Sequence, residues 1–353
     1  MIAFQGIPAR SLLCGNKGRH ERHERHERHE GFERPGLARN DQRPHTTAGI
    51  SMTADWKAGL GFSLVTAIMW GALPIALKVV LAEVDSLTVT WIRFLVCTVI
   101  AMAWYGYRSG SGVRRLLSRP LWPLTVLAVA GLLTNYICYL VGLDHTTAEA
   151  AQILIQLAPL LLLVGSVWLF REPFSNVQWA GVLAVGIGLL LFFHHRLRAL
   201  ATLDDGYLLG LLMILLAALT WTVYGLAQKQ LLKQVSANDL LLLVYIAGTL
   251  CYLPAASPEQ VLRLDGLGLA MLAFASLNTI IAYASFGIAM TRWQASRVSA
   301  VITLAPLLTL LFVNLGNTVY PGFVEVEPLD WRNWLGAVLV VAGSTLAALG
   351  NRL

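Results

Sequence analysis

Charge is what this chain lacks. Of its 353 residues only 13% are Asp, Glu, Lys or Arg, against about 25% in an average soluble domain, while 56% are hydrophobic. The shortfall is uneven: nine runs of 19 or more residues (58–77, 120–143, 150–170, 173–195, 206–228, 240–258, 266–291, 298–324 and 333–351) contain no charged side chain, and a tenth, 86–107, holds only Arg93. A bilayer core about 30 Å thick takes roughly 20 helical residues rising about 1.5 Å each, so every run is a candidate crossing. A soluble globular domain is excluded, and the missing apolar/polar alternation excludes a transmembrane β-barrel. The expected fold class is an all-α polytopic membrane protein with ten transmembrane helices.

Other absences narrow the function. No Gly-x-x-x-x-Gly-Lys-Ser/Thr loop is present to hold ATP, and no repeated filter-like stretch points to a channel. Neither Gly-x-Ser-x-Gly nor His-Glu-x-x-His occurs, and past Met52 the only histidines are His145, His194 and His195, all in predicted connections. A membrane-embedded hydrolase or acyltransferase, the rival from another functional class, therefore shows no nucleophile–base pair. Cys14, Cys97, Cys138 and Cys251 have no metal-ligand spacing, and the last three fall inside apolar runs as small packing residues. No metal and no cofactor is implied. Of the net charge of +6, half belongs to residues 1–51; the remainder leaves no basic face for nucleic acid. The implied partners are a small-molecule substrate and the lipid bilayer, and the oligomeric state is open.

What is present begins with an Arg-His-Glu tandem repeat from Arg19 to Glu30. A period of three fits no helical face and has little to bury, so residues 1–55 are expected to be a disordered low-complexity leader. No apolar stretch before Arg19 resembles a signal peptide, and MTADWKAGLGF from Met52 reads as the expected translation start. Loop charges set the expected topology. With the amino terminus inside, Lys57, Arg108, Arg114, Arg115, Arg119, Arg171, Lys233, Arg292 and Arg352 are cytoplasmic, against Arg196, Arg198, Arg263 and Arg332 outside. The positive-inside bias puts both termini in the cytoplasm, with the strongest vote from the loop YRSGSGVRRLLSRP.

Comparing halves 56–195 and 204–351 exposes an internal repeat. Trp70 precedes Lys78 by eight residues, as Trp221 precedes Lys229; Asn135 and Tyr139 recur as Asn278 and Tyr283. LAPLL at 157–161 recurs at 304–308, and QWAGVLAVGIG from Gln178 recurs as NWLGAVLVVAG from Asn333. Each half has five runs, an odd number, so the second copy is expected to be inverted, as in secondary transporters.

Together these segments resemble the drug/metabolite transporter superfamily, in its EamA-type branch, over roughly residues 56–351. The resemblance is carried by AIMWGALPIALK in the first run, WIRF at 91–94, and LAPLL with Arg171-Glu172 leading into QWAGVLAVGIG; Pro159, Glu172, Trp179 and Gly181 match the family's order. The second copy departs from it: Val319 replaces the acid, and GNTVYPGFVEVEP (316–328) lengthens that loop. The resemblance implies a ten-helix permease for small metabolites with a central cavity between the halves; a nucleotide-sugar-type exchanger of the same superfamily is an alternative. The buried carboxylate that four-helix multidrug exporters carry in their first helix is missing between Ala58 and Leu77.

Polar residues inside the runs give the expected site. Pro159 and Pro306 stand at matching positions, where a proline weakens a helix, and such matched breaks point to a transporter's binding site. Gln152 and Gln156, four apart, share a face that either lines a cavity or bonds another helix. The Asn135/Tyr139 and Asn278/Tyr283 pairs could grip a substrate's polar groups or glue helices together. Lys78 and Lys229 are snorkelling lysines or mouth charges, and Arg93 reads as structural, tying its helix to carbonyls or to Asp85 and Glu83. Substrate is therefore expected between Trp70, Asn135, Tyr139, Gln152, Gln156, Tyr224, Asn278, Tyr283 and Arg297, with Arg297 holding a carboxylate bidentately. The intramembrane charges are all positive, which suits an amino acid or related carboxylate-bearing compound, moved by alternating access and, by expectation, exported across the inner membrane. Cysteines introduced at Ser111 and Asp204 should be labelled from the cytoplasm and from outside respectively; labelling of Ser111 only from outside would reverse the topology.

Overall fold

The computed structural model describes residues 56–170, 174–195, 205–292, 298, 301–326 and 329–350. The leader, Arg171, Glu172 and Arg297 lie outside these residues. A chain in hydrocarbon has no water to satisfy its peptide groups, so it must bond them within each segment. The described residues accordingly contain helices and no strand. They are α1 (Trp56–Leu81), α2 (Ser86–Ala101), α3 (Tyr107–Leu116), α4 (Trp122–Asp144), α5 (Ala148–Leu154), α6 (Leu157–Phe170), α7 (Asn176–Phe192), α8 (Asp205–Leu231), α9 (Ala237–Tyr252), α10 (Gly266–Arg292), α11 (Ala305–Val319) and α12 (Trp331–Leu349). Among the described residues, eight helical segments are long and apolar enough to cross a membrane, while Asn176–Phe192 and Ala305–Val319 are shorter apolar helices. Large apolar side chains such as Leu183, Leu190, Trp168 and Leu250 are exposed, as lipid-facing residues should be. Trp56, Trp104, Trp122 and Trp331 mark segment ends, where amphipathic indoles prefer the interface.

Helix starts repeat between the halves. Asp85 caps α2 through Leu87 N and Thr88 N at 2.9 and 3.0 Å, and Ser236 begins α9 in a capping box with Asp239. Ser175 with Gln178 and Asp330 with Asn333 form equivalent capping boxes on α7 and α12. Such caps satisfy N–H groups that the first helical turn leaves without partners. The basic segment after α2 is not the loop its composition suggested. A π-helical turn at Met102–Gly106 carries α2 into α3, whose last turn holds Arg114 and Arg115 where the helix dipole favours cations.

The principal helix pairs join the halves: α1 with α10, α4 with α8, α2 with α9, and α7 with α12. Exchanging each helix for its sequence match maps this set onto itself. Each pair is antiparallel. Thr66 bonds Ala282 O while Asn278 bonds Met69 O; Thr88 meets Ser257 while Trp91 reaches Thr249. The α7–α12 seam is the closest. A Cβ on Gly343 would lie 2.7 Å from Gly181 O, and one on Gly188 would lie 2.7 Å from Gly336 O. The seven-residue glycine spacing on α12 therefore faces α7, and backbones approach where no side chain intervenes. The Asn333 amide reaches Phe192 O, and Gln178 Nε2 reaches Ala347 O at 3.1 Å, so the seam's two ends are polar. Gly343→Val should cost about 1–3 kcal/mol and lower the thermal midpoint in detergent. Gly186→Ala, where nothing lies within 4 Å of the added atom, should not. Equal midpoints for the two variants would contradict the seam.

Candidate functional site

Both matched prolines sit where a helix restarts. A proline has no N–H for the carbonyl four residues earlier, and its ring crowds that carbonyl. Those earlier residues are Ile155 and Ile302. In the first half the chain turns at 155–156 between α5 and α6; in the second it turns at 303–304 before α11. Ile155 and Ile302 both border one cavity of ≈ 140 Å³. Space of this order accepts a benzene-sized molecule.

The cavity draws on both halves at matching positions: Trp70 with Trp221, Asn135 with Asn278, Tyr136 with Thr279, Tyr139 with Tyr283, and Ile155 with Ile302. Gln152, Gln156, Pro159, Ala158, Leu73, Leu140, Ala305 and Arg93 complete its wall. The asparagines act alike. Asn135 Nδ2 donates to Ala217 O on α8 at 2.8 Å, and Asn278 Nδ2 donates to Met69 O on α1 at 2.7 Å. Each amide therefore ties two helices across the halves, the helix-joining role weighed from sequence, and borders the cavity as well. Tyr139 Oη donates to Gln152 Oε1 at 3.3 Å, holding that amide toward α4. Trp70 packs edge-on to Tyr283 with centroids 5.9 Å apart.

One expected lining residue stands elsewhere. Tyr224 is buried in the apolar core around Leu132 and Trp221, at the close approach of α8 to Gly131, and does not border the cavity. Trp221, one turn earlier, borders it instead. Pro306 is buried beside the cavity, which Ala305 touches. Arg297 lies outside the described residues. Lys78 Nζ donates to Asp144 O and Thr146 O at 3.1 and 2.8 Å, closing the end of α4, with Glu325, Asp144 and Glu149 as its acidic surroundings. Lys229 ends α8, away from the cavity wall.

Arg93 was not among the expected lining residues; its expected role was to tie its helix to carbonyls or to Asp85 and Glu83. The Asp85 carboxylate is occupied with the α2 N-terminus and with Thr88 Oγ1 at 2.7 Å. Arg93 borders the cavity, its Nη2 3.3 Å from Thr279 Oγ1 and its guanidinium carbon 5.1 Å from the Tyr136 centroid. Tyr136 and Thr279 were also missed, although each directly follows an asparagine of the matched pair. Trp221 carried its own signal as the match of Trp70.

Away from the cavity, His194 and His195 are not free at the interface: both Nε2 atoms lie 3.3 Å from Asp330 Oδ2, joining the ends of α7 and α12. Burial would raise the Asp330 carboxyl, but N–H groups of Asn333 and Arg332 and the neighbouring imidazoles hold it below the ordinary carboxylate range. These three residues are the group of metal-ligand type among the described residues. Oδ1 of Asp330 is engaged by two backbone N–H groups, so their evident role is to join helix ends.

With the geometry in view, the two halves can be set against known proteins. The EamA-like transporter family matches twice, over residues 57–194 and 208–349. This chain belongs to that family. An "uncharacterized inner membrane transporter" of Escherichia coli (strain K12) is 37% identical over 300 residues, covering 84% of this chain and 94% of its own. An "uncharacterized transporter" of Haemophilus influenzae is 35% identical over 295 residues, covering 84% and 96%. More distant, at 23% identity over 311 residues and 82% and 95% coverage, is a "probable amino-acid metabolite efflux pump" of Salmonella typhimurium. A solved crystal structure with TM-score 0.57 and 22% identity covers 84% of this chain and 98% of its own, a likeness of fold. The EamA-like assignment makes the chain a membrane transporter and agrees with its apolar helices.

Replacing Asn278 with Ala should remove the clasp on Met69 O and cost about 1–3 kcal/mol. Asn278→Asp should cost more, because a carboxylate then faces a carbonyl. Thermal midpoints of the purified protein would show the order, and Asn135 variants should repeat it.

Proposed function

We propose that this EamA-like protein is a secondary transporter of ten spans in two inverted five-span halves. It sits in a bacterial inner membrane with both termini cytoplasmic, and exports a small carboxylate-bearing metabolite such as an amino acid. The observation that carries this reading is the cavity built from matching positions of both halves beside two proline-marked breaks. A symmetric pair of weakened helices around one site is what alternating access requires, since exchanging the two halves' conformations opens the site to the other side.

The inversion is supported by α7 and α12, and by α2 and α9: sequence-matched helices that run antiparallel to each other. Ten spans are supported by the two shorter apolar helices, which occupy the fifth and ninth of the ten runs. The inner membrane location follows the name of the Escherichia coli relative, and export follows that of the Salmonella relative. Transport is favoured over a membrane enzyme by the family match and by a cavity lined with amides, aromatics and a guanidinium, without a paired nucleophile and base.

Counterflow in proteoliposomes tests the reading. Vesicles preloaded with an unlabelled amino acid should transiently accumulate its labelled form, and protein-free vesicles should not. Gln156→Ala should weaken apparent affinity by roughly 2- to 13-fold, the loss of one neutral hydrogen bond. A wild-type protein that moves no compound across a broad metabolite panel would refute transport.

A further inference from the structure

The cavity wall holds three buried polar atoms without hydrogen-bond partners: Arg93 Nε, Trp221 Nε1 and Asn278 Oδ1. Their residues are 4%, 4% and 1% exposed. Native interiors rarely leave such groups unsatisfied, and three around one cavity are most simply completed by what enters it. Arg93 is the decisive member. A guanidinium stays ionised, and burying it away from a carboxylate is expensive. Among the described residues it has no ion-pair partner, and no Asp or Glu borders the cavity. A 3.3 Å contact to Thr279 Oγ1 and the face of Tyr136 compensate that charge only in part. Nor is the arginine a requirement of the repeat: the matching run in the second half, 240–258, contains no charged residue.

Asn278 supplies the opposite polarity. Its Nδ2 is committed to Met69 O, which can only accept, so the amide's orientation is fixed and Oδ1 remains an acceptor. A fixed cation, an indole donor and a fixed acceptor face a space whose wall also holds apolar Trp70, Leu73, Leu140, Ile155 and Ile302 and the amides of Gln152 and Gln156.

We propose that Arg93 is the substrate's anion anchor. It receives one carboxylate, with Trp221 Nε1 as an auxiliary donor, while Asn278 Oδ1 accepts from an N–H or O–H group on the same small molecule. This rests on the cavity being the transport site and deepens that reading. It moves the carboxylate from Arg297 to Arg93, and it makes the site selective against the carboxamide or the decarboxylated amine of the same molecule.

The test pairs binding with transport. Purified protein is titrated with leucine, leucinamide, isoamylamine, 2-hydroxyisocaproate and isocaproate, read by thermal stabilisation in detergent, and the same compounds are used in counterflow. Wild type should prefer leucine to leucinamide and isoamylamine by roughly 10- to 150-fold, the range for a lost charge-assisted bond. In Arg93→Gln that preference should collapse toward unity, a result that loss of packing alone would not produce. Arg93→Lys keeps the charge and should retain part of the preference; if Arg93→Gln fails to fold, Arg93→Lys against Arg93→Met makes the same comparison. The hydroxy acid separates an ammonium from a hydroxyl at Asn278: Asn278→Ala should narrow the leucine advantage over isocaproate, which has neither. A preference for carboxylate that survives loss of the arginine charge, or a wild type that favours the amines, overturns the anchor even if transport is intact. Carboxylate-selective binding without counterflow would instead uphold the anchor and defeat the transport reading.

Discussion

A backbone inside hydrocarbon must satisfy its own peptide groups, and among the described residues two matched proline-marked places depart from continuous helix. The departures at 155–156 and 303–304 are tolerable because they are enclosed by other helices and border a cavity whose wall offers polar groups. Each lies just before a proline that cannot donate to the preceding turn. The rest of the architecture surrounds those two points: α1, α4, α8 and α10 wall them in, and α7 with α12 closes a glycine seam.

The way the halves are joined explains why the polar groups can be both structural and available. Asn135 and Asn278 each spend Nδ2 on a carbonyl of the opposite half. An amide has two ends, so fixing the donor end orients the acceptor end. A helix-to-helix clasp thereby becomes an oriented acceptor on the cavity wall at no further conformational cost. The near-equivalence of the two clasps contrasts with Arg93, which has no charged counterpart. Matched positions of the two halves supply the frame, and Arg93 is, among the described residues, the one charged residue on the cavity wall.

Much of this was legible in the sequence because its physics is local. Long uncharged runs follow from the cost of charge in lipid, and repeated Trp, Asn, Tyr and Pro at near-constant offsets survive as letters. Seven of the nine expected lining residues are brought to the cavity wall. Tyr224 was misassigned because a single helical turn separates it from Trp221, and spacing without a neighbour's position does not choose between faces of a helix apolar on all sides. The place of Arg93 on the cavity wall was not legible for a related reason: of its expected partners, Asp85 is close in sequence, but a helix N-terminus claims that carboxylate first. Likewise the basic segment 107–116 reads as a loop by composition, yet continues as helix from α2.

The sequence by itself determined the membrane class, the duplicated plan and the places where helices weaken, because each depends on residues within one turn or one span. The tertiary structure decided which faces meet. It set the glycines of α12 against α7, spent Lys78 on the end of α4, and turned Arg93 toward Thr279 and Tyr136. Those choices depend on the rotation and proximity of helices distant in the chain, and a uniformly apolar helix carries little periodic signal to announce its rotation.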